Sequence, residues 1–236
     1  MKRIEKRILI IATMLCMLFA AVPVSAARQI QNDYVRITRP DHNSTIYKGE
    51  PISYTFKMKN PWKKCLCQPE ADLIASNGEI VRGSKGGYIE IGKSGKCTGT
   101  FTTENLNPGV YYFKATTIPI DSKTKAVADK GRKKRYAQNS LIIKELKPVK
   151  SVTAHASVDK VVVSFKKATG ATSYKIFRSL SKDKGYNQIG TTESTSYIDL
   201  DVNKGERYYY RIVSVRNKKA TVLSAFSSAG YCRPVR

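Results

Sequence analysis

The octapeptide GYIEIGKS, Gly87 to Ser94, carries the spacing G-x-x-x-x-G-K-[ST]. In a phosphate-binding loop that spacing lets backbone N–H groups wrap the phosphates, while the lysine reaches the terminal ones and the hydroxyl holds magnesium. Such a loop needs a strand before it and a helix after it. Here Ile89 and Ile91 would face one way and Tyr88 and Glu90 the other, which is strand alternation where the loop should be. The next residues, GKCTGTFTTE, are β-branched and broken by glycine, with no helix start. The stretch therefore reads as a β-strand with Gly92 to Gly95 as its turn, and neither a nucleotide site nor a cofactor is expected.

Other catalytic sets are equally hard to assemble. The two histidines, His42 and His155, fall in different halves of the chain, and no serine or cysteine stands in a G-x-S-x-G elbow. Paired carboxylates for glycoside hydrolysis would have to come from 18 Asp and Glu in a chain with 42 Lys and Arg, and nothing places two together. The expectation is a non-enzyme, with a small extracellular hydrolase as the outside alternative. Zinc needs four ligands at suitable spacing, which Cys65, Cys67, Cys97 and a distant His42 do not supply, so no metal is expected.

The cysteines point instead to oxidation. The chain opens with Lys2, Arg3, Lys6 and Arg7, then an apolar run from Ile8 to Val22, then Pro23 and the small residues Val24-Ser25-Ala26. That is the layout of a secretory signal peptide over 1–27, cleaved after Ala26 or Ala27. The remainder has no second long apolar run and no hydrophobic tail, so the mature chain is expected outside the cytoplasm without a transmembrane segment. Export permits disulfides. Cys65 and Cys67 share one face of a strand, and either reaches Cys97 across the first half. One bond is expected, from Cys97 to Cys65 or Cys67, with the choice left open.

Charge supplies the remaining chemistry. The leader holds a net +3, so the rest keeps +21 of the chain's +24. Outside a cell, such a surplus favours anionic wall polymers, acidic glycans, lipid heads or DNA. Between Ile118 and Gln138 runs IPIDSKTKAVADKGRKKRYAQ, in which Lys130, Arg132, Lys133, Lys134 and Arg135 cluster. End loops of rigid sandwiches are common binding sites, so these five are the candidate ligand contacts. No aromatic strip lies between the basic residues, which argues against single-stranded nucleic acid.

The elements that must present this loop are strands. In EPISYTFKMKN, Ile52, Tyr54, Phe56 and Met58 alternate with Ser53, Thr55 and Lys57. ADLIAS and EIVRG flank Asn77-Gly78, a strong hairpin signal. LNPGVYYFKATTI places a Tyr just after a turn, with Tyr111, Phe113 and Ala115 pointing inward, and NSLIIKEL closes the first half. From Lys147 onward there are seven short β-runs with turn residues between them. In VNKGERYYYRIVSV, Tyr208 again opens the penultimate strand after a turn, the position of a tyrosine corner.

The stretch from VVVSFKK through GATSYKIFRS and TSYIDLDV to GERYYYRIVSV resembles a fibronectin type III domain of the kind found in secreted Gram-positive bacterial proteins. It departs at Phe165, where the family usually has Trp. The first half more loosely resembles an immunoglobulin-like domain. The expected architecture is all-β, two tandem β-sandwiches: 1–27 signal peptide, 28–146 immunoglobulin-like, 147–236 fibronectin type III. The resemblance implies a binding or spacer role. The expected function is to hold an anionic envelope polymer, glycan or surface protein; the alternative is an accessory subunit of an extracellular assembly.

Overall fold

The computed structural model describes residues 28–128, 132–157 and 159–232. The expected signal peptide, 1–27, and Lys130 lie outside the described residues. Every regular element among the described residues is a strand, and no helix there is long and apolar enough to cross a membrane.

The first half contains β1 (Val35–Arg39), β2 (Ser44–Tyr47), β3 (Ile52–Lys59), β4 (Leu66–Ala75), β5 (Ile80–Lys85), β6 (Ser94–Phe101), β7 (Gly109–Ile120) and β8 (Tyr136–Lys144). One sheet runs β1-β3-β6 and the other β2-β8-β7-β4-β5. β2 lies parallel to β8, and the other pairs are antiparallel. The alternation of β3 sends Ile52, Tyr54, Phe56 and Met58 inward, where they meet Tyr111, Phe113 and Ala115 of β7. The Tyr54 ring lies 4.9 Å from Phe101 and 5.2 Å from Phe113. A Cβ at position 99 would strike the Tyr54 phenol, so glycine is needed there. Gly78, at φ +89°, turns β4 into β5.

One expected strand is absent. β5 ends at Lys85 and β6 begins at Ser94, and between them only Ile89 pairs, with Cys67. Ile89 is buried and Ile91 is 49% exposed, so the two do not share a face. The reason is topological: β5 and β6 belong to opposite sheets, and the chain must cross the edge of the sandwich here. The turn falls at Glu90–Lys93, with Gly92 at φ +73°. Lys93 leads directly into β6 rather than into a helix.

The second half contains β9 (Lys150–Ala156), β10 (Val161–Lys166), β11 (Ser173–Ser179), β12 (Asn187–Thr192), β13 (Ser196–Asp199), β14 (Tyr208–Asn217), β15 (Thr221–Phe226) and β16 (Gly230–Cys232). A sheet β13-β10-β9 faces a sheet β12-β11-β14-β15, with β16 also on β14. Among the described residues this half forms eight strands rather than the seven expected. Ser227 exchanges hydrogen bonds with the backbone of Ile212, through its own N–H and its Oγ, at the end of β15, and the additional strand, β16, lies beyond it. Cys232, expected beyond the final strand, pairs opposite Tyr208. Phe165 fills its aromatic slot edge-on to Tyr174 at 4.7 Å.

The two halves are clasped. Leu146 and Val149 flank Pro148 and are both buried. Leu146 joins Tyr47 and Val222 in a small apolar cluster. Beside it, the Glu50 carboxylate is 1% exposed and accepts from Arg216 Nε at 2.7 Å and from the Tyr47 N–H at 3.0 Å. Arg216 also donates to the Gly170 carbonyl at 3.0 Å and lies 4.3 Å over the Tyr47 ring. The Tyr47 hydroxyl donates to the Thr169 carbonyl. Gly170, at φ +89°, sits where a Cβ would strike that phenol.

Removing one partner of a buried pair leaves an uncompensated charge, which costs about 3–5 kcal/mol. Arg216→Ala is expected to destabilise the protein to urea by about that much, and Glu50→Gln with Arg216→Met is expected to recover most of it. An unchanged urea midpoint in Arg216→Ala would show that the clasp carries no stability.

Candidate functional site

β7 and β8 are joined by residues 121–135, the loop expected to hold the ligand. Its described residues are 121–128 and 132–135. The Asp121 carboxylate accepts from the N–H groups of Thr124 at 2.7 Å and Lys123 at 2.9 Å. Those bonds, with one from the Thr124 hydroxyl, hold its carboxyl below the usual range. At the far end, the Arg135 N–H donates to Thr117 Oγ1 at 2.8 Å, and the guanidinium lies over Tyr34 at 5.4 Å. Arg132 donates to the Ala128 carbonyl at 3.1 Å. Lys133 and Lys134 are exposed. The described members of the expected cluster thus divide: two lysines face solvent, and two half-buried arginines turn back onto the protein.

The expected disulfide is not formed; Cys65, Cys67, Cys97 and Cys232 are free thiols. Cys67 and Cys97 do come from facing sheets, but each sulfur has another neighbour. Cys67 Sγ lies 3.8 Å from Met58 Sδ, and Cys97 Sγ lies against Gly86. Burial pushes the Cys67 thiol up to about 12, with neighbouring Cys65 adding to the rise. Since the thiolate is the nucleophile, dithionitrobenzoate at pH 8 is expected to leave Cys67 unreacted until the protein unfolds. Rapid native labelling of Cys67 would refute this placement.

The two corner tyrosines anchor the turns before their strands. Tyr111 Oη donates to the Asn107 carbonyl at 2.8 Å. Tyr208 Oη accepts from the Asn203 N–H at 2.9 Å and donates to Glu206 at 2.7 Å. Arg178 lies 5.1 Å over the Tyr208 ring and pairs with Asp199 at 3.0 Å and Asp201 at 2.8 Å. Buried Asp199 also accepts from the Tyr210 hydroxyl at 2.8 Å. This network locks the turn rather than presenting a reactive group. His42 lies beside Ser140 and His155 lies on β9, in different halves.

Sequence reasoning missed three features. Asp72 is buried on β4, and its carboxyl is raised from 3.8 to about 6, by burial first and by neighbouring Glu70 second; Lys114 and Lys85 oppose the shift. A folded-state value above the unfolded one means that the charged form is disfavoured in the fold. Its cost is complete above pH 6 and vanishes as pH falls to 3.8. Asp72→Asn is therefore expected to raise the melting temperature at about pH 7.5, with the gain shrinking steadily below about pH 6. A gain that does not change with pH would contradict it.

The second missed feature is a basic row across the outer face of β1-β3-β6, where register sets Arg36 opposite Lys57 and Lys57 opposite Lys96. The third is a groove of about 600 Å³ where the halves meet, lined by Lys144, Lys147, Lys150, Lys166 and Lys167. Its one carboxylate, Glu145, is already paired with Lys147 at 2.5 Å. The first set depends on strand register, and the second depends on bringing Lys166 and Lys167 to the stretch that holds Lys144, Lys147 and Lys150; no local signal in the sequence reveals either.

No protein-family model matches the chain, and no curated protein does. Among solved structures it is similar to a Fn3-like protein from Clostridium thermocellum, at 26% identity and a TM-score of 0.35, over 39% of this chain and 95% of that one. It is similar to the fibronectin(III)-like modules of CbhA from Clostridium thermocellum, at 12% identity and a TM-score of 0.30, over 85% of this chain and 94% of that one. A segment of titin domains is also similar, at 15% identity and a TM-score of 0.39, over 86% of this chain and 66% of that one.

Proposed function

We propose that this chain is a non-catalytic, exported binding protein. In this reading two sandwich units, 28–146 and 147–236, present a basic surface to an anionic polymer of the cell envelope, and charge retains the protein there. The observation that carries the reading is the uncompensated surplus of cations. The chain has 42 Lys and Arg against 18 Asp and Glu. The most buried of its ion pairs, Glu50–Arg216 and Asp199–Arg178, commit acids to structural roles. Lys133 and Lys134 of the loop, and the lysines on the β1-β3-β6 face and in the junction groove, stand in solvent. A surface with so many like charges gains most from a partner that brings many anions.

A spacer role in a larger extracellular assembly is the second reading, and the buried junction favours it. A clasp of this kind sets the reach and direction of the second unit as a floppy tether would not.

The two readings differ in their response to salt. Exposed charge contacts are screened at high ionic strength. Protein bound to envelopes of the source cell is expected to be released by about 1 M NaCl, and a variant with Lys133 and Lys134 changed to Gln is expected to be released at lower salt. Retention in molar salt would sink the charge-retention reading and leave the spacer role.

A further inference from the structure

We infer that the junction groove is the principal binding site, and that its ligand is a linear anionic saccharide chain. This rests on the proposed function and names its site.

Three observations carry the inference. The first is the register of β9 and β10, which places Lys150 directly opposite Lys166. Like charges facing across a strand pair destabilise a sheet. Lys144, Lys147 and Lys167 line the same groove, and Glu145 is committed to Lys147. The fold thus gathers five ammonium groups around one space with a single acid. An anionic ligand relieves that repulsion, and a ligand with several charges relieves it most.

The second observation is the shape. The groove takes Lys144 from the end of β8, Lys147 from the link, and Lys150, Lys166 and Lys167 from the second half. It exists only while the two halves hold their relation. Tyr47 lines it and also belongs to the clasp, with Arg216 over its ring and its hydroxyl bonded to Thr169. The basic row on β1-β3-β6 lies on one outer sheet face and needs no such relation.

The third observation is the chemistry of the walls. The cations are all lysines, which act as point charges, whereas planar bidentate recognition calls for arginine. Between them stand Pro108, Pro148, Ala168 and Thr169. The one aromatic, Tyr47, is buried and has Arg216 over its ring, so no free ring is offered on which a base would stack. The walls suit a chain of sugars or polyols with evenly spaced carboxylate, sulfate or phosphate groups. A lone phosphate would engage only part of such a spread of charges.

The test measures binding of fluorescein-labelled oligogalacturonate and a sulfated heparin oligosaccharide by anisotropy, at low and moderate salt, with an oligothymidylate of equal length for comparison. The protein is the chain from residue 28 onward. Three variants are compared: Lys150→Gln with Lys166→Gln, Lys133→Gln with Lys134→Gln, and Lys150→Arg with Lys166→Arg. Each Gln pair removes the same charge. The groove pair is expected to weaken saccharide binding about tenfold, the loop pair less than about twofold, and the Arg pair to retain it. The groove pair is also expected to melt no lower than the parent, because a like-charge contact has gone. Equal losses from the two Gln pairs would overturn the site and leave a diffuse charge effect. Loss in the loop pair alone would return the site to residues 132–135 and keep the proposed function. Tighter binding of the oligothymidylate than of either saccharide would overturn the ligand class. No binding of any polyanion would overturn both this inference and the reading it rests on.

Discussion

The pairing of Glu50 with Arg216 sets the terms for the rest of the molecule. A carboxylate that is 1% exposed survives only if its charge is met and its lone pairs are filled. Arg216 meets the charge, and the Tyr47 N–H fills a second position. The Thr103 hydroxyl donates to the Glu50 backbone carbonyl at 2.7 Å and accepts from the Gly49 N–H at 2.9 Å. One turn in the first half is therefore fixed by a group 166 residues away in the sequence. Apolar residues there would pack without specifying a partner. A buried ion pair demands one particular cation in one particular place, and this is how Tyr47, Gly170 and Val222 come to meet in a defined relation.

That relation explains a division among the charged residues. Acids are scarce, and two of the three buried among the described residues have structural roles: Glu50 clasps the halves, and Asp199 ties Arg178 and Tyr210 beneath the Tyr208 corner. Acids committed inside are not available to neutralise lysines outside. The result is two rows of like charge, Arg36–Lys57–Lys96 on one sheet face and Lys150–Lys166 at the junction. Each destabilises the fold a little, since facing like charges disfavour the strand pairs that carry them. Burial in the two cores outweighs that cost, and the cations stay on display.

The legible part of this fold is the part governed by local periodicity. Alternation in Ile52–Met58, the Asn77-Gly78 turn and the tyrosines after their turns each act over a few residues, and the structure forms a strand or turn at each. The features that escaped the sequence involve partners distant along the chain. Gly87 to Ser94 alternates like a strand, yet it must cross between sheets, and crossing overrides propensity. Cys97 and Cys67 have the spacing for a bond, but their sulfurs turn toward Gly86 and Met58. The basic loop reads as one cluster, although the Arg132 guanidinium donates to the Ala128 carbonyl and the Arg135 guanidinium lies over the Tyr34 ring. The lysines of the junction groove come from separate segments, and only the register of β9 on β10 brings two of them face to face.

Clasp and groove share Tyr47, so they are linked thermodynamically as well as by position. If an anionic chain binds the clasped arrangement better than an opened one, binding strengthens the clasp, and by reciprocity the clasp strengthens binding by the same factor. The size of the effect is limited by how much the lysines separate on opening. Lys144 belongs to one half, and Lys150 and Lys166 to the other. Opening the junction would part the first from the second and third, while leaving the β9–β10 pair intact. A ligand short enough to span only Lys150 and Lys166 would feel no coupling, and one long enough to reach Lys144 would feel all of it. The coupling thus grows with ligand length, which is the property that lets a rigid junction prefer a polymer over its own small fragments.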